Sequence, residues 1–96
     1  MTSETASIRL TNDIGLHARP SVKLTKLAKR FQSAIRLGTA ENGPWIDAKS
    51  VVKVMAAKAP KNTVLHFEAE GDDARAAIDA LVRLVREEFR DEEGAA

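Results

Sequence analysis

The sequence predicts an α+β domain in which a four-stranded antiparallel sheet carries its helices on one face. Four short segments alternate apolar and polar residues, as strands with one buried face do. Three further segments repeat apolar residues at the intervals of an amphipathic helix. The order is strand, helix, strand, strand, helix, strand, helix, so the helices need to cover only one apolar face of the sheet. An all-parallel sheet would require continuous apolar strands, which fit this chain badly.

The first strand and the first helix are separated by a turn. The alternation in "SIRLT" predicts a strand over residues 6–12, and Gly15 lies in the turn that follows. Pro20 has no N–H and a fixed φ, which suits the first turn of a helix. The helix predicted over residues 18–31 has its apolar face at Pro20, Leu24, Leu27, Ala28 and Phe31.

The middle of the chain contains two short strands and a short helix. Residues 33–39 and 45–48 are predicted strands, and the turn residues of "ENGP" between them indicate a hairpin. Ser50 is a favourable N-cap for a helix. The apolar positions of that helix are Val51, Val54 and Met55. Pro60 cannot continue it, and Asn62 tolerates the left-handed conformation of a turn.

The last strand and the last helix have clear apolar patterns. Residues 63–70 alternate, with Leu65, Phe67 and Ala69 on the buried side. The helix predicted over residues 71–89 opens with acidic residues, which suit the positive end of the helix dipole. Its buried stripe consists of Ala74, Ala77, Ile78, Leu81 and Val85. Residues 91–96 are predicted to be a frayed tail.

Size and composition indicate one globular domain. The chain has 96 residues, of which 44% are hydrophobic and 30% charged, far from the composition of disordered proteins. We expect a single monomeric domain over residues 1–96, with an ordered core over residues 5–90. Without cysteine the chain can form neither a disulfide nor a thiolate metal site. It shows no signal peptide and no run of about 18 apolar residues, which predicts a soluble cytoplasmic protein.

The net charge of +1 conceals a separation of charge along the chain. Residues 14–40 contain six basic residues and no acidic one, whereas residues 68–93 contain ten acidic residues and four arginines. The basic end could attract nucleic acid, a phosphorylated molecule or an acidic protein surface, and charge alone does not choose among them.

The stretch "NDIGLHARPSVKL" places His17 at the predicted N-cap of the first helix. A helix start has unpaired N–H groups and partial positive charge, so it favours a neutral imidazole with a ring nitrogen free to attack. The same N–H groups can bind the oxygens of an anion, and the guanidinium of Arg19 can neutralise its charge. The arrangement predicts that His17 accepts a phosphoryl group. The alternative is an ordinary surface histidine in a turn.

The segments "GLHARP", "KSVVKVMAA" and "LHFEAEGDDARAAIDALVRL" carry a resemblance to a known family. Nearly the whole chain resembles HPr, the histidine-containing phosphocarrier of the bacterial sugar phosphotransferase system. The resemblance implies an open-faced β-sandwich. It also implies that Nδ1 of His17 accepts a phosphoryl group from enzyme I and passes it to sugar-specific EIIA components. Arg19 and the N–H groups of Ala18 and Arg19 would face the phosphate, which derives from phosphoenolpyruvate without any cofactor or metal.

Ser50 and the helix after it have further implied roles. Many HPr proteins have a serine at this position that HPr kinase phosphorylates to regulate carbon use, and the helix dipole favours a phosphate there. A serine at a helix start is also simply a good cap, and both interpretations stay open. The resemblance implies a partner-binding surface formed by Val51, Val52, Lys53, Met55, Lys23 and Lys26. Either Val54 or Met55 could instead point into the core.

Three features depart from the family pattern. The family usually has glycine just after the short helix, where this chain has Lys58. Because a non-glycine residue does not easily adopt the left-handed conformation, we expect this helix end to be built differently. The loop "GTAENGPW" is longer than in compact HPr proteins and resembles the HPr portions of multidomain fructose phosphotransferase polypeptides. Ser21 stands where alanine is common, and none of these departures involves His17 or Arg19.

Other sites and functions fit the sequence less well. His66 lies on the polar side of its strand, where we expect it to be exposed and without a partner. A metal site would need both histidines to converge with carboxylates, and no ligand spacing indicates this. Trp45 is expected to be a packing anchor, since 4% aromatic residues do not supply the rings of a single-strand nucleic-acid binder. Two alternatives stay open: an HPr-like regulatory binding module and a small RNA-binding domain.

Overall fold

The computed structural model describes residues 3–90, and seven elements follow one another in the predicted order. They are β1 (Ser3–Arg9), α1 (Ala18–Ala28), β2 (Ala34–Gly38), β3 (Ile46–Asp47), α2 (Val51–Ala56), β4 (Val64–Glu70) and α3 (Ala74–Arg86). The tail over residues 91–96, predicted to be frayed, lies outside the described residues. Within the described part of the chain, none of the helices has both the length and the apolar character that a membrane crossing requires.

The four strands form one antiparallel sheet in the order β1-β4-β2-β3. β4 lies between β1 and β2, with Leu65 opposite Ile8 and Phe67 opposite Leu37. α3 packs on β1 and β4, and α1 packs on α2 and α3, so the helices cover one face and leave the other open. The predicted α+β class and the open-faced β-sandwich are both confirmed.

The core lies between the sheet and the helices and contains the residues that the apolar patterns identified. Leu65, Phe67 and Ala69 of β4 are buried, as predicted. In α1, the residues at the predicted apolar positions are buried or packed against the core. All five predicted residues of α3 are buried, namely Ala74, Ala77, Ile78, Leu81 and Val85. Removal of this apolar surface from water is the main favourable contribution to folding.

β1 and α1 end earlier than predicted. β1 begins before the predicted range 6–12 and ends inside it, at Arg9. Its early start pairs with the end of β4, which extends to Glu70. α1 does not reach the end of the predicted range 18–31. The N–H groups of Arg30 and Phe31 bond to carbonyls three residues earlier, which is the tighter winding common at helix ends.

α3 also ends before the predicted residue 89, because Glu88 and Phe89 take left-handed conformations with φ of 58° and 60°. This turn folds Phe89 back into the core. The carbonyl of Phe89 accepts a hydrogen bond from Nζ of Lys23 at 2.7 Å. Oε2 of Glu88 accepts one from the hydroxyl of Thr11 at 3.0 Å. Hydrogen bonds from α1 and from the segment after β1 therefore hold the turn that ends α3.

The end of α2 contradicts the expectation from the sequence. Lys58 has φ of 49°, so it does adopt the left-handed conformation. Its N–H donates to the carbonyl of Met55 at 3.1 Å. The next residue, Ala59, is buried, and its carbonyl accepts the N–H of Leu16 at 2.8 Å. The fixed position of Ala59 thus outweighs the preference of lysine for a negative φ. Asn62 has a left-handed φ of 79°, as predicted.

Replacing Lys58 by glycine should stabilise the fold. A left-handed conformation costs a non-glycine residue about 1–2 kcal/mol, and the greater freedom of glycine in the unfolded chain offsets about 0.5–1 kcal/mol of this. We expect Lys58→Gly to raise the free energy of unfolding by about 0.5–1 kcal/mol, measured by urea denaturation. Lys58→Ala keeps the unfavourable φ and should bring no such gain, so an equal gain in both variants would contradict the explanation.

Asp73 ties the start of α3 to the segment between α1 and β2. Its carboxylate accepts hydrogen bonds from the N–H groups of Gln32 and Ser33, each at 2.9 Å, and from the hydroxyl of Ser33. The hydrogen bond from the Ser33 hydroxyl, followed by that from the Gln32 N–H, lowers the pKa of Asp73 below its ordinary value of 3.8. Gly71 approaches Ser33 so closely that a Cβ there would lie 2.6 Å from the hydroxyl oxygen.

The lowered pKa of Asp73 makes stability depend on pH at the acid end. Its stabilising effect is present above the unfolded-state pKa, near 3.8, and is lost as the pH falls through the lower folded-state pKa. Asp73→Asn should therefore be less stable at neutral pH and should lose less further stability on acidification, measured by urea unfolding at a series of pH values. Asp79→Asn, at an exposed ion pair on the same helix, is the control. Parallel curves for Asp73→Asn and the wild type would refute the assignment.

Candidate functional site

His17 lies at the N-cap of α1, as the sequence predicted. Its backbone is extended, with φ of −81° and ψ of −170°, and its side chain makes no capping hydrogen bond. The residue is exposed. Its imidazole is therefore not occupied by the cap and can be reached by a second protein.

The first turn of α1 offers two unpaired backbone donors. The N–H of Ser21 makes the first helical hydrogen bond, to the carbonyl of His17 at 3.0 Å. Pro20 has no N–H, and within residues 3–90 the N–H groups of Ala18 and Arg19 have no backbone acceptor. The turn also contains no acidic residue. These free donors lie at the positive end of the helix dipole, where anions bind.

Arg19 lies in the same turn, exposed, and makes no ion pair with any residue that the structure describes. An unpaired guanidinium keeps its donors available for an incoming phosphate. The structure thus brings together the predicted acceptor ring, the predicted cation and both predicted N–H groups, because they belong to three consecutive residues.

Asn12 and Gly15 form the turn that leads the chain to His17. Nδ2 of Asn12 donates to the carbonyl of Gly15 at 2.9 Å, and the N–H of Gly15 donates to the carbonyl of Asn12 at 3.3 Å. Gly15 has φ of 63°. A Cβ at this position would lie 2.3 Å from the carbonyl oxygen of Ala59, so the approach of the two segments requires glycine.

Leu16 anchors the residue that immediately precedes His17. It is buried, and its N–H donates to the carbonyl of Ala59 at 2.8 Å. The hydroxyl of Ser21, itself buried, donates to the carbonyl of Leu16 at 3.2 Å. This bond links the first turn of α1 to the anchor and gives Ser21 a role that the sequence did not reveal. Its acceptor is five residues earlier, outside the usual helical contacts of a serine side chain.

Gly15→Ala should destabilise the fold and disturb the position of His17. The methyl group would meet the carbonyl of Ala59, and alanine would have to adopt a left-handed φ, so we expect a loss of about 2–4 kcal/mol in the free energy of unfolding. Gly38→Ala is the matched control, because Gly38 has an ordinary φ and a Cβ there would meet nothing closer than 3.3 Å. Urea unfolding measures both, and an equal loss at the two positions would contradict the role of Gly15.

α2 buries one valine and exposes two other large apolar residues. Val54 is fully buried, which decides between Val54 and Met55 as the core residue. Val52 is 73% exposed and Met55 is 41% exposed, with Lys53 exposed beside them. Val51 is partly buried. Because α2 packs against α1, this surface lies on the helix next to the one that His17 caps.

The region around His17 also contains exposed residues that the sequence patterns did not single out. Ile14 is 53% exposed in the turn before His17, and Val22 is 40% exposed on α1. A lone apolar residue on a polar face gives no periodic signal. Of the two α1 lysines predicted for the partner surface, Lys26 is exposed, whereas Lys23 is partly buried with its ammonium bonded to the carbonyl of Phe89.

Ser50 is the N-cap of α2, and its hydroxyl accepts a hydrogen bond from the N–H of Lys53 at 3.3 Å. The predicted capping role is confirmed. The preceding Lys49 donates its ammonium to the carbonyl of Phe31 at 2.8 Å, which ties this helix start to the segment that follows α1. The side chain of Ser50 is partly exposed.

The second histidine has a partner, contrary to expectation. Nδ1 of His66 lies 2.8 Å from the hydroxyl oxygen of Ser7, because the register of β1 and β4 places the two residues directly opposite each other. Both side chains lie on the open face of the sheet, and His66 is partly exposed. Trp45 lies beside Gly38, where a Cβ would be 3.3 Å from its ring, but it is 37% exposed and is not part of the core, so the expected anchoring role is only local.

Comparison with known proteins identifies the family. The family profile described as "PTS HPr component phosphorylation site" matches residues 4–87. The chain is 45% identical over 80 residues to a multiphosphoryl transfer protein of Vibrio cholerae, covering 82% of this chain and 20% of that protein. It is 40% identical over 80 residues to phosphocarrier protein HPr of Cupriavidus necator, covering 83% and 88%. The crystal structure of HPr-C-His from Thermoanaerobacter tengcongensis superposes with a TM-score of 0.82 at 34% identity, covering 90% and 94%.

Fold and site define a small open-faced β-sandwich protein that presents an exposed histidine at a helix start. The profile match spans most of the chain, and the relative from Cupriavidus necator is matched over most of its own length. The chain therefore belongs to the HPr family of the phosphotransferase system, and the resemblance inferred from the histidine motif is confirmed.

Proposed function

We propose that His17 is the phosphoryl acceptor of this protein, which acts as an HPr phosphocarrier of the phosphotransferase system. The observation that carries the proposal is the exposed imidazole of His17 beside two unpaired N–H groups at the start of α1. The exposed guanidinium of Arg19 adds positive charge to the same turn. An ordinary surface histidine would not explain why these groups occur together.

Transfer to His17 exchanges one bond to phosphorus for another. Nδ1 attacks the phosphorus of phospho-enzyme I with its lone pair, the bond from phosphorus to the donor atom breaks, and the donor atom keeps that electron pair. Such transfers depend mainly on positioning and charge compensation. The N–H groups of Ala18 and Arg19 would donate to the phosphoryl oxygens, and the guanidinium of Arg19 would neutralise charge. The phosphoryl group derives from phosphoenolpyruvate, so no resident cofactor is required.

The partners of this step would be enzyme I and the sugar-specific EIIA components. Both must reach the ring in turn, which is consistent with the exposure of His17. Val52 and Met55 supply exposed apolar surface, and Lys26 and Lys53 supply charge around it, the usual composition of a protein interface. These exchanges would take place in the cytoplasm, with the protein as a monomer.

The proposal also covers the branch of the phosphotransferase system in which the protein acts and the way in which the protein is regulated. The similarity to a multiphosphoryl transfer protein supports a fructose-type branch, as does the long loop before Trp45. Ser50 would be the target if an HPr kinase regulates this protein. Modification there would have to replace the existing hydrogen bond from Lys53, and the helix dipole would favour the added phosphate.

Labelling from phosphoenolpyruvate tests the proposal. With enzyme I from the same source, the wild type should give an acid-labile, base-stable phosphorylated species, and His17→Ala should give none. Arg19→Ala should be labelled about tenfold more slowly, since a charge-assisted contact to the phosphoryl group is lost. The second histidine offers a matched control, because His66→Ala should be labelled like the wild type.

Two results would count against the phosphoryl-acceptor role. Labelling that persists in His17→Ala would place the acceptor elsewhere, and a wild type that is never labelled would favour the regulatory binding module. That second candidate is supported by the exposed apolar residues of α2. It predicts that a partner protein binds His17→Ala and the wild type equally, whereas Val52→Asp and Met55→Asp abolish binding.

A further inference from the structure

We propose that Lys58 is a further phosphate-binding residue, whose ammonium group contacts the phosphoryl group carried by His17. This inference rests on the proposed function of His17 and extends its site to a segment outside α1. Two observations carry it: the register between the segment that precedes α1 and the segment that precedes β4, and the charge and backbone conformation of Lys58.

The segments that precede α1 and β4 run antiparallel to each other. The N–H of Leu10 donates to the carbonyl of Thr63 at 2.8 Å, and the carbonyl of Leu10 accepts the N–H of Asn62 at 2.7 Å. Further along, Asp13 forms an ion pair with Lys61 at 3.2 Å. Residue numbers therefore rise along one segment as they fall along the other.

The two segments stay close up to the site, although their pairing shifts between Leu10 and Leu16. A Cβ at Gly15 would lie 2.9 Å from backbone atoms of Pro60. The residue after Gly15 donates its N–H to the carbonyl of Ala59 at 2.8 Å. One further step along each segment leads to His17 and Lys58, and we infer from this that the two residues lie near each other.

The ammonium group of Lys58 is available for a ligand. The residue is exposed, and its side chain makes no hydrogen bond or ion pair with the residues that the structure describes, whereas the neighbouring Lys61 is paired with Asp13. Lysine places a compact charge on a long flexible stem, which lets it turn toward a group on the facing residue. A phosphoryl group carries a charge of about −2 at neutral pH. Arg19 supplies a single positive charge, and Lys58 would supply the second.

The backbone of Lys58 supports a functional role. Its φ of 49° is a conformation that glycine would adopt without strain, so lysine at this position reduces the stability of the fold. Unfavourable backbone conformations concentrate at functional sites, where the side chain provides something that a less strained residue would not. At Lys58 this is a positive charge facing His17.

The phosphorylation equilibrium between enzyme I and this protein tests the role of Lys58. At low ionic strength we expect Lys58→Gln to lower the equilibrium constant for phosphorylation of His17 about three- to fivefold, and Lys58→Arg to remain near the wild type. The difference should shrink as salt is added, because exposed charges are screened. Lys58→Gly should show the same loss although it is expected to be the more stable protein, which separates the effect of charge from the effect of folding.

Lys29→Gln is the matched control, because it removes the same charge at the far end of α1. It should leave the equilibrium unchanged. If the wild type is labelled normally and Lys58→Gln matches it at low salt, or if Lys29→Gln shows an equal loss, the role of Lys58 is refuted while that of His17 stands. If the wild type is not labelled on His17, the proposed function fails, and this inference fails with it.

Discussion

The backbone contact between Gly15 and Leu16 on one segment and Ala59 on the other is the constraint on which the site depends. It holds the residue before His17 in the core and thereby fixes where α1 begins. The imidazole remains exposed because its predecessor is buried and its own backbone is extended. Lys58, which directly precedes Ala59 on the facing segment, has a left-handed φ, so the same close approach also fixes the position of its neighbour.

Most of the fold could be predicted from the sequence because its patterns are local. The alternation in β4 and the apolar stripe of α3 identified buried residues that the structure confirms. The ends of the elements were less predictable, since they depend on partners far away in the chain. Asp73 holds the segment after α1, and Lys23 bonds to the turn that ends α3, and neither bond leaves a periodic signal in the sequence.

In the candidate site, too, the features that depend on nearby residues could be predicted, and those that depend on distant contacts could not. The positions of His17 and Ser50 at helix starts follow from nearby residues and were predicted. The left-handed Lys58 was not, because it depends on the approach of segments about forty residues apart. Outside the site, the bond between Ser7 and His66 was missed for the same reason. Local preference argued against the conformation of Lys58, and a tertiary contact overrode it. The sequence therefore located the acceptor ring but not its full surroundings.

Pro20 limits how firmly the start of α1 can hold an anion. Its ring removes one of the amides that a helix start would otherwise present, leaving those of Ala18 and Arg19 for a group with three oxygens. The remaining compensation would come from side chains on mobile stems, which release a ligand more readily than fixed amides do. A weak anion site of this kind suits a carrier protein, because the next acceptor can still remove the phosphoryl group.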